Sequence, residues 1–178
     1  MTLKALSELD KHYEGSKPPP PGHADHLRTF FSPVDDVHGV LVDMLTAASH
    51  ELVVSMYGFD DDELAGIIKT KMADPSIFVS LTLDSSQAGG IHEKTLLAAE
   101  NYPATSIAVG RSEKGAIMHQ KMVVIDGLDV ITGSTNWSDG GETKQDNQLT
   151  VVRDALHASM CRTRISAIHA NMLAKANH

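Results

Sequence analysis

A chain of 178 residues, 42% of them hydrophobic, is long enough to bury one sizeable core and short enough to need only one. Its formal net charge of −8, from 15 Lys+Arg against 23 Asp+Glu, argues against a protein that coats nucleic acid through a general positive field, while leaving room for a locally positive cleft. A lone cysteine, Cys161, excludes an intramolecular disulfide framework, and no apolar run reaches the roughly 18 residues of a membrane span.

The N-terminal stretch MTLKALSELDKHYEGSK carries charges throughout and has no apolar h-region, so no secretory signal is expected and the protein is placed in the cytoplasm. Residues 3–14 read as a short helix with Leu3, Leu6, Leu9 and Tyr13 near one face. Lys17-Pro18-Pro19-Pro20-Pro21-Gly22 cannot be helix interior and is expected to be an extended spacer. Residues 1–24 are therefore expected to form an arm, acting as a stiff link or as a docking segment for a protein partner, with the main domain over 25–178.

From Asp25 onward, strand and helix patterns alternate. Leu27–Phe31 reads as a strand, stopped by Ser32-Pro33. Asp35 is the expected cap of a helix with apolar positions Val37, Val40, Leu41, Met44, Leu45 and Ala48. Glu51–Tyr57 is an apolar strand, and Asp61–Ala73 a helix whose acidic start, Asp60-Asp61-Asp62-Glu63, suits the helix dipole. Ile77–Leu83 reads as strand, 91–100 as helix and Ser106–Val109 as strand. Strands over roughly 117–125 and 129–135 flank a turn at Gly127, and Leu149–Val152 follows. The last helix shows the stripe Leu156, Met160, Ile165, Ile168 and Met172, with Cys161 packed beside it. The alternation predicts a single α/β domain: a mixed, mostly parallel central sheet with helices on both faces.

Chemistry concentrates in His119-Gln-Lys121-Met-Val-Val-Ile-Asp126, followed by Gly133-Ser134-Thr-Asn136. His119 and Lys121 are two apart on an expected strand, so they share a side of the sheet. Ser134 and Asn136 repeat that relation on the next strand, and an antiparallel connection at Gly127 brings the two pairs to one end. Lysine and carboxamide donors suit the oxygens of a phosphate. Histidine attacks phosphorus when neutral or donates a proton when charged, and one ring cannot do both at once. The chain has no second copy of the motif, so a symmetric dimer is the economical source of the second imidazole.

His119-x-Lys121-x4-Asp126 with Gly133-Ser134-x-Asn136 resembles the HKD motif of the phospholipase D superfamily, and the single-motif length resembles its small bacterial endonuclease branch. The likeness extends more weakly through Phe31-Ser32-Pro33, the strand ending at Tyr57 and the strand running to Leu83-Asp84. The resemblance implies a phospholipase D-like fold and a cofactor-free, metal-free reaction at a homodimer interface. His119 would form a phosphoenzyme, its copy in the partner subunit would act as acid and then base, and Lys121 and Asn136 would hold the phosphoryl oxygens. Ser134 would add a hydrogen bond, and Asp126 would take a structural or orienting role. Relatives carry an orienting glutamate where this chain has Asn147, preceded by Asp146. A one-residue shift on a strand reverses the face, so Asp146 replaces that glutamate only through a bulge or an altered loop.

Trp137 and Arg111 are further candidate substrate contacts, the first by stacking on a base or else by packing in the core. The remaining histidines, His23, His26, His169 and His178 among them, form no ligand set of recognised spacing, so no metal is expected. The favoured substrate is nucleic acid, DNA or RNA. The competing readings are a phospholipid or small diester, and a catalytically weakened dimer that binds nucleic acid or scaffolds an assembly through residues 1–24.

Overall fold

The structure, a computed structural model, describes residues 3–87 and 105–176, so the helix expected over 91–100 lies outside the described residues. A 3-10 helix, Leu6–His12, precedes β1 (Leu27–Ser32), α1 (Val37–Ala47), β2 (Glu51–Met56), α2 (Asp62–Ala73) and β3 (Phe78–Asp84). Then come β4 (Ile107–Gly110), β5 (Lys121–Ile125), β6 (Asp129–Gly133), α3 (Asp139–Thr143), β7 (Asn147–Arg153) and α4 (Ala155–Ala176).

The strands form one sheet in the order β1-β7-β6-β5-β2-β3-β4. Only β2–β3 and β3–β4 pair in parallel; β1–β7, β7–β6, β6–β5 and β5–β2 are antiparallel. The sheet is mixed but mostly antiparallel, which corrects the expectation of a mostly parallel one. The physical reason is connection length. Asp126 and Gly127 adopt positive φ and Leu128 N–H closes the turn on the Ile125 carbonyl at 3.0 Å, so β6 must fold straight back. Between β6 and β7 the only helix is the five-residue α3, too short for a parallel crossover. β1 then joins the far edge against β7 instead of lying beside β2.

Alternation along the strands separates two cores. Leu52, Val54 and Met56 of β2, Val123 and Ile125 of β5, Ile131 of β6 and Leu149 and Val151 of β7 pack with α1 and α2. Val53, Val124 and Val130 point the other way, against Ala158, Cys161 and Ile165 of α4. The inward stripe of α4 is Ala158, Cys161, Ile165, Ile168, His169 and Met172, whereas Leu156 and Met160, expected on it, are exposed. His169 is not a stray ligand: its ring bonds Thr82 Oγ1 at 2.8 Å and the Thr105 carbonyl at 2.7 Å.

Two local expectations shift by small amounts. Asp36, not Asp35, caps α1 by accepting from Gly39 N–H. Asp35 instead gathers the N–H groups of Gly15, Ser16 and Phe31, which fastens the N-terminal segment to the end of β1. That segment packs closely, since Leu6 and Leu9 are fully buried in the larger core.

Candidate active site

Strand ends dictate where polar side chains gather. β2 finishes, β5 begins, β6 finishes and β7 begins at the same end of the sheet, because Met56 pairs with Lys121 and Gly133 with Leu149. Lys121 has the same parity as Val123 and Ile125, so its side chain leaves from the face packed on α1 and α2. Lys121, Gly133, Thr135 and Trp137 line one small cavity there.

His119 is exposed just ahead of β5, and the Lys121 ammonium donates to its Nε2 at 3.1 Å. That bond requires a ring whose Nε2 carries a lone pair, the form that attacks an electrophile. Lys121 is itself buried, which pushes its pKa down. The Tyr57 ring meets the His119 ring edge-on at 4.6 Å and lies 4.8 Å below the Lys121 ammonium. Tyr57 N–H donates to the Gln120 carbonyl at 2.8 Å, so the end of β2 positions this half of the motif.

The other half is placed by the next residue. Asn136 packs on Gly58, where an added Cβ would stand 2.8 Å from the Asn136 Cγ, and Trp137 N–H donates to the Gly58 carbonyl at 2.9 Å. The Asn136 Oδ1 position is buried and has no hydrogen-bond partner among the described residues. The two ends of a carboxamide have the same shape, so rotating it presents two N–H donors from that position instead. Tyr57-Gly58 thus bridges the two halves. Tyr57 is marked in the sequence only as a strand end; its signal there is an aromatic-glycine pair closing an apolar strand.

Ser134 Oγ donates to Asn147 Oδ1 at 2.9 Å, and Asn147 Nδ2 donates to the Gly141 carbonyl at 3.0 Å. Asn147 therefore ties Ser134 to α3. Asp146 is exposed, one residue ahead of β7. Arg111 is exposed beyond β4; burial would raise the Asp84 pKa, but bonds from Ser86 and the Met118 N–H, with the Arg111 charge adding to them, hold that carboxylate below its usual range. Asp84 accepts the Met118 N–H at 2.5 Å, one residue before His119. Trp137 is 1% exposed and packs edge-on against Phe59 at 5.1 Å, so no ring face is open for a base to stack on.

Asp126 lies at the opposite end of β5, in the turn. Its carboxylate accepts from the N–H groups of Ser49, His50 and Glu51 and from Ser49 Oγ. Burial alone would raise its pKa, but these donors outweigh burial and hold it below the usual carboxylate range. A lowered pKa means stability that is fully present above the unfolded value and lost as pH falls through the folded one. Asp126→Ala is expected to cost about 2–4 kcal/mol in urea unfolding at neutral pH by stranding three backbone donors. The gap from the parent protein should narrow as pH falls below about 4.

A second polar cluster, invisible to motif spacing, joins three elements. His38 of α1 contacts Glu142 of α3 (Nδ1 to Oε2, 2.6 Å), Glu63 of α2 (Nε2 to Oε2, 3.1 Å) and Asp61, the cap of α2 (Nδ1 to Oδ2, 3.4 Å). Burial works to lower the His38 pKa, but Glu63 and Glu142 raise it to about 9. Burial raises Glu142 to about 7.

The fold and this end of the sheet define a class: the chain belongs to the phospholipase D superfamily, the family model described as cardiolipin synthase, PLD-like domain, matching residues 41–168. Its fold is the superfamily's hydrolase and phosphodiesterase fold. Among solved structures it is similar to Nuc from Salmonella typhimurium, a phospholipase D family member (TM-score 0.68, 18% identity, 82% of this chain and 94% of that one). It is equally similar to NucT from Helicobacter pylori (TM-score 0.68, 20% identity, 82% and 96%). A mitochondrial cardiolipin hydrolase from Chlamydomonas reinhardtii is 25% identical over 113 residues, which are 64% of this chain and 48% of that protein. The chain thus spans about half the length of that curated relative. Among the described residues, no helix is long and apolar enough to cross a membrane.

Proposed function

We propose that this chain is a metal-independent nuclease that cleaves DNA or RNA through a covalent phosphohistidine on His119, at a site completed by a second copy. The observation that carries this reading is the exposed His119 ring with the Lys121 ammonium 3.1 Å from Nε2. A phosphate oxygen seated beside that ammonium puts phosphorus within reach of the Nε2 lone pair. In the first step Nε2 bonds to phosphorus and the P–O bond to the leaving strand breaks. The protonated imidazole of His119 of the partner subunit gives its proton to that leaving oxygen. In the second step this now neutral ring takes a proton from water, whose oxygen bonds to phosphorus as the P–N bond breaks. Lys121 and Asn136 from both copies hold the non-bridging oxygens, a charge-neutralising task that elsewhere falls to metal ions. Asp126 stays at the far turn in a structural role, and Ser134 with Asn147 braces the loop that carries Asn136.

Nucleic acid is favoured over lipid by the close match in size to Nuc and NucT, of which this chain covers 94% and 96%. The test is cleavage of labelled single- and double-stranded oligonucleotides in excess EDTA, beside headgroup release from phospholipid vesicles. Oligonucleotide cleavage that persists in EDTA is expected, and the rate should be bell-shaped in pH because the two rings share one proton. Headgroup release without strand cleavage contradicts the substrate, and a flat profile between about pH 5 and 8 contradicts the shared proton.

A further inference from the structure

The cluster around His38 has more negative charge than its one imidazole balances. Asp61, Glu63 and Glu142 all turn a carboxylate oxygen to this ring. Glu142 is 2% exposed, and while its Oε2 meets His38, its Oε1 is buried with no hydrogen-bond partner among the described residues. A fully buried carboxylate oxygen without a donor is costly and calls for a cation. Asp61 spends Oδ1 on the α2 cap, at 2.7 Å from Leu64 N–H, which leaves Oδ2 facing the ring.

We propose that His38, Asp61 and Glu142 form a binding site for a divalent transition-metal ion, separate from the phosphodiesterase centre. The three side chains each offer one ligand atom, all within 4.8 Å of one another. A tetrahedral ion with ligands at about 2.0–2.2 Å wants them about 3.4 Å apart. The Asp61–His38 separation of 3.4 Å already meets this, and the Glu142–His38 contact needs to open by less than an ångström. The ion replaces the proton held between His38 Nδ1 and Glu142, so one proton leaves as one ion enters. An imidazole nitrogen with two carboxylates selects zinc or a neighbouring first-row metal over magnesium, which prefers oxygen alone. Glu63 meets Nε2 on the other side of the ring and holds the imidazole in orientation.

The site braces the catalytic loop without entering it. Asp60 N–H donates to the Trp137 carbonyl at 2.6 Å, and Glu142 N–H to the Ser138 carbonyl at 2.9 Å, so an ion here would cross-link the start of α2 to the segment that follows Asn136. Phosphodiester chemistry at His119 is expected to continue in EDTA, with a protonated His38 holding the cluster in place of the ion.

The test titrates zinc chloride into the chelator-stripped full chain by calorimetry at neutral pH, with thermal melting alongside. One saturable equivalent and a higher melting temperature are expected, and magnesium chloride should produce neither. His38→Ala should abolish the binding. Asp61→Asn, which keeps an N-cap side chain, should weaken it about tenfold or more. A His23→Ala/His26→Ala variant should bind as the parent does. Absence of saturable binding overturns the proposal, as does binding unchanged in both His38→Ala and Asp61→Asn. No substrate is present in either measurement, so failure of the nuclease reading would leave this result readable on its own.

Discussion

His119→Ala is expected to lower the cleavage rate by about 10⁴-fold or more while leaving the melting temperature near that of the parent protein. The ring is exposed, and among the described residues it contacts the Lys121 ammonium and the Tyr57 ring. Removing it strips no core atoms, so the stability change should stay within about 0.5 kcal/mol. Under the proposed two-copy mechanism the catalytic loss is double, because each copy would supply one ring and the variant removes nucleophile and acid together. A residual rate within tenfold of the parent would assign the nucleophile elsewhere. Parallel steady-state and melting measurements separate that outcome from simple unfolding.

Gly133→Ala should have the largest effect on the fold. Gly133 has φ +155°, and an added Cβ would lie 2.0 Å from the Gln148 carbonyl oxygen and 2.9 Å from its carbon. Both obstacles are backbone, so no side chain can swing aside, and β6 must part from β7. The expected cost is about 3 kcal/mol or more. Activity should fall too, because the Ser134 N–H bond to the Gln148 carbonyl at 3.0 Å lies next to the clash and Asn136 follows two residues later. Gly127 is the informative contrast. It also has positive φ, +62°, but nothing lies within 4 Å of an added Cβ, and asparagine tolerates that conformation. Gly127→Asn should therefore cost under about 1 kcal/mol by chemical denaturation.

The contrast between these glycines shows what a sequence carries and what it leaves to the fold. The turn at Asp126-Gly127 was legible because it is local: two residues with positive φ set the β5–β6 hairpin and, with it, the spacing from His119 to Asn136. Strand order was not legible. Nothing near Leu27 announces that its partner is Val152, and that single long-range pairing places β1 against β7 at the sheet edge. The stripe on α4 failed at Leu156 and Met160 because apolar residues alone do not fix a face: at about 100° per residue these two lie opposite Ala158, Cys161 and Ile165, which pack on the sheet. The cap of α1 moved from Asp35 to Asp36 because adjacent aspartates carry the same propensity, and the N-terminal segment decides which is free. His38, Asp61 and Glu142 come from three helix starts or turns far apart in the chain, so no spacing rule could have gathered them.

Most of the chemistry rests on a bond between His119 Nε2 and phosphorus. Rapid acid-free quenching of the protein with a phosphate-labelled oligonucleotide, followed by peptide mapping, tests it most directly. Acid-labile, base-stable label is expected on the peptide containing His119, and none in His119→Ala. Cleavage at full rate with no label on that peptide at any quench time would contradict it.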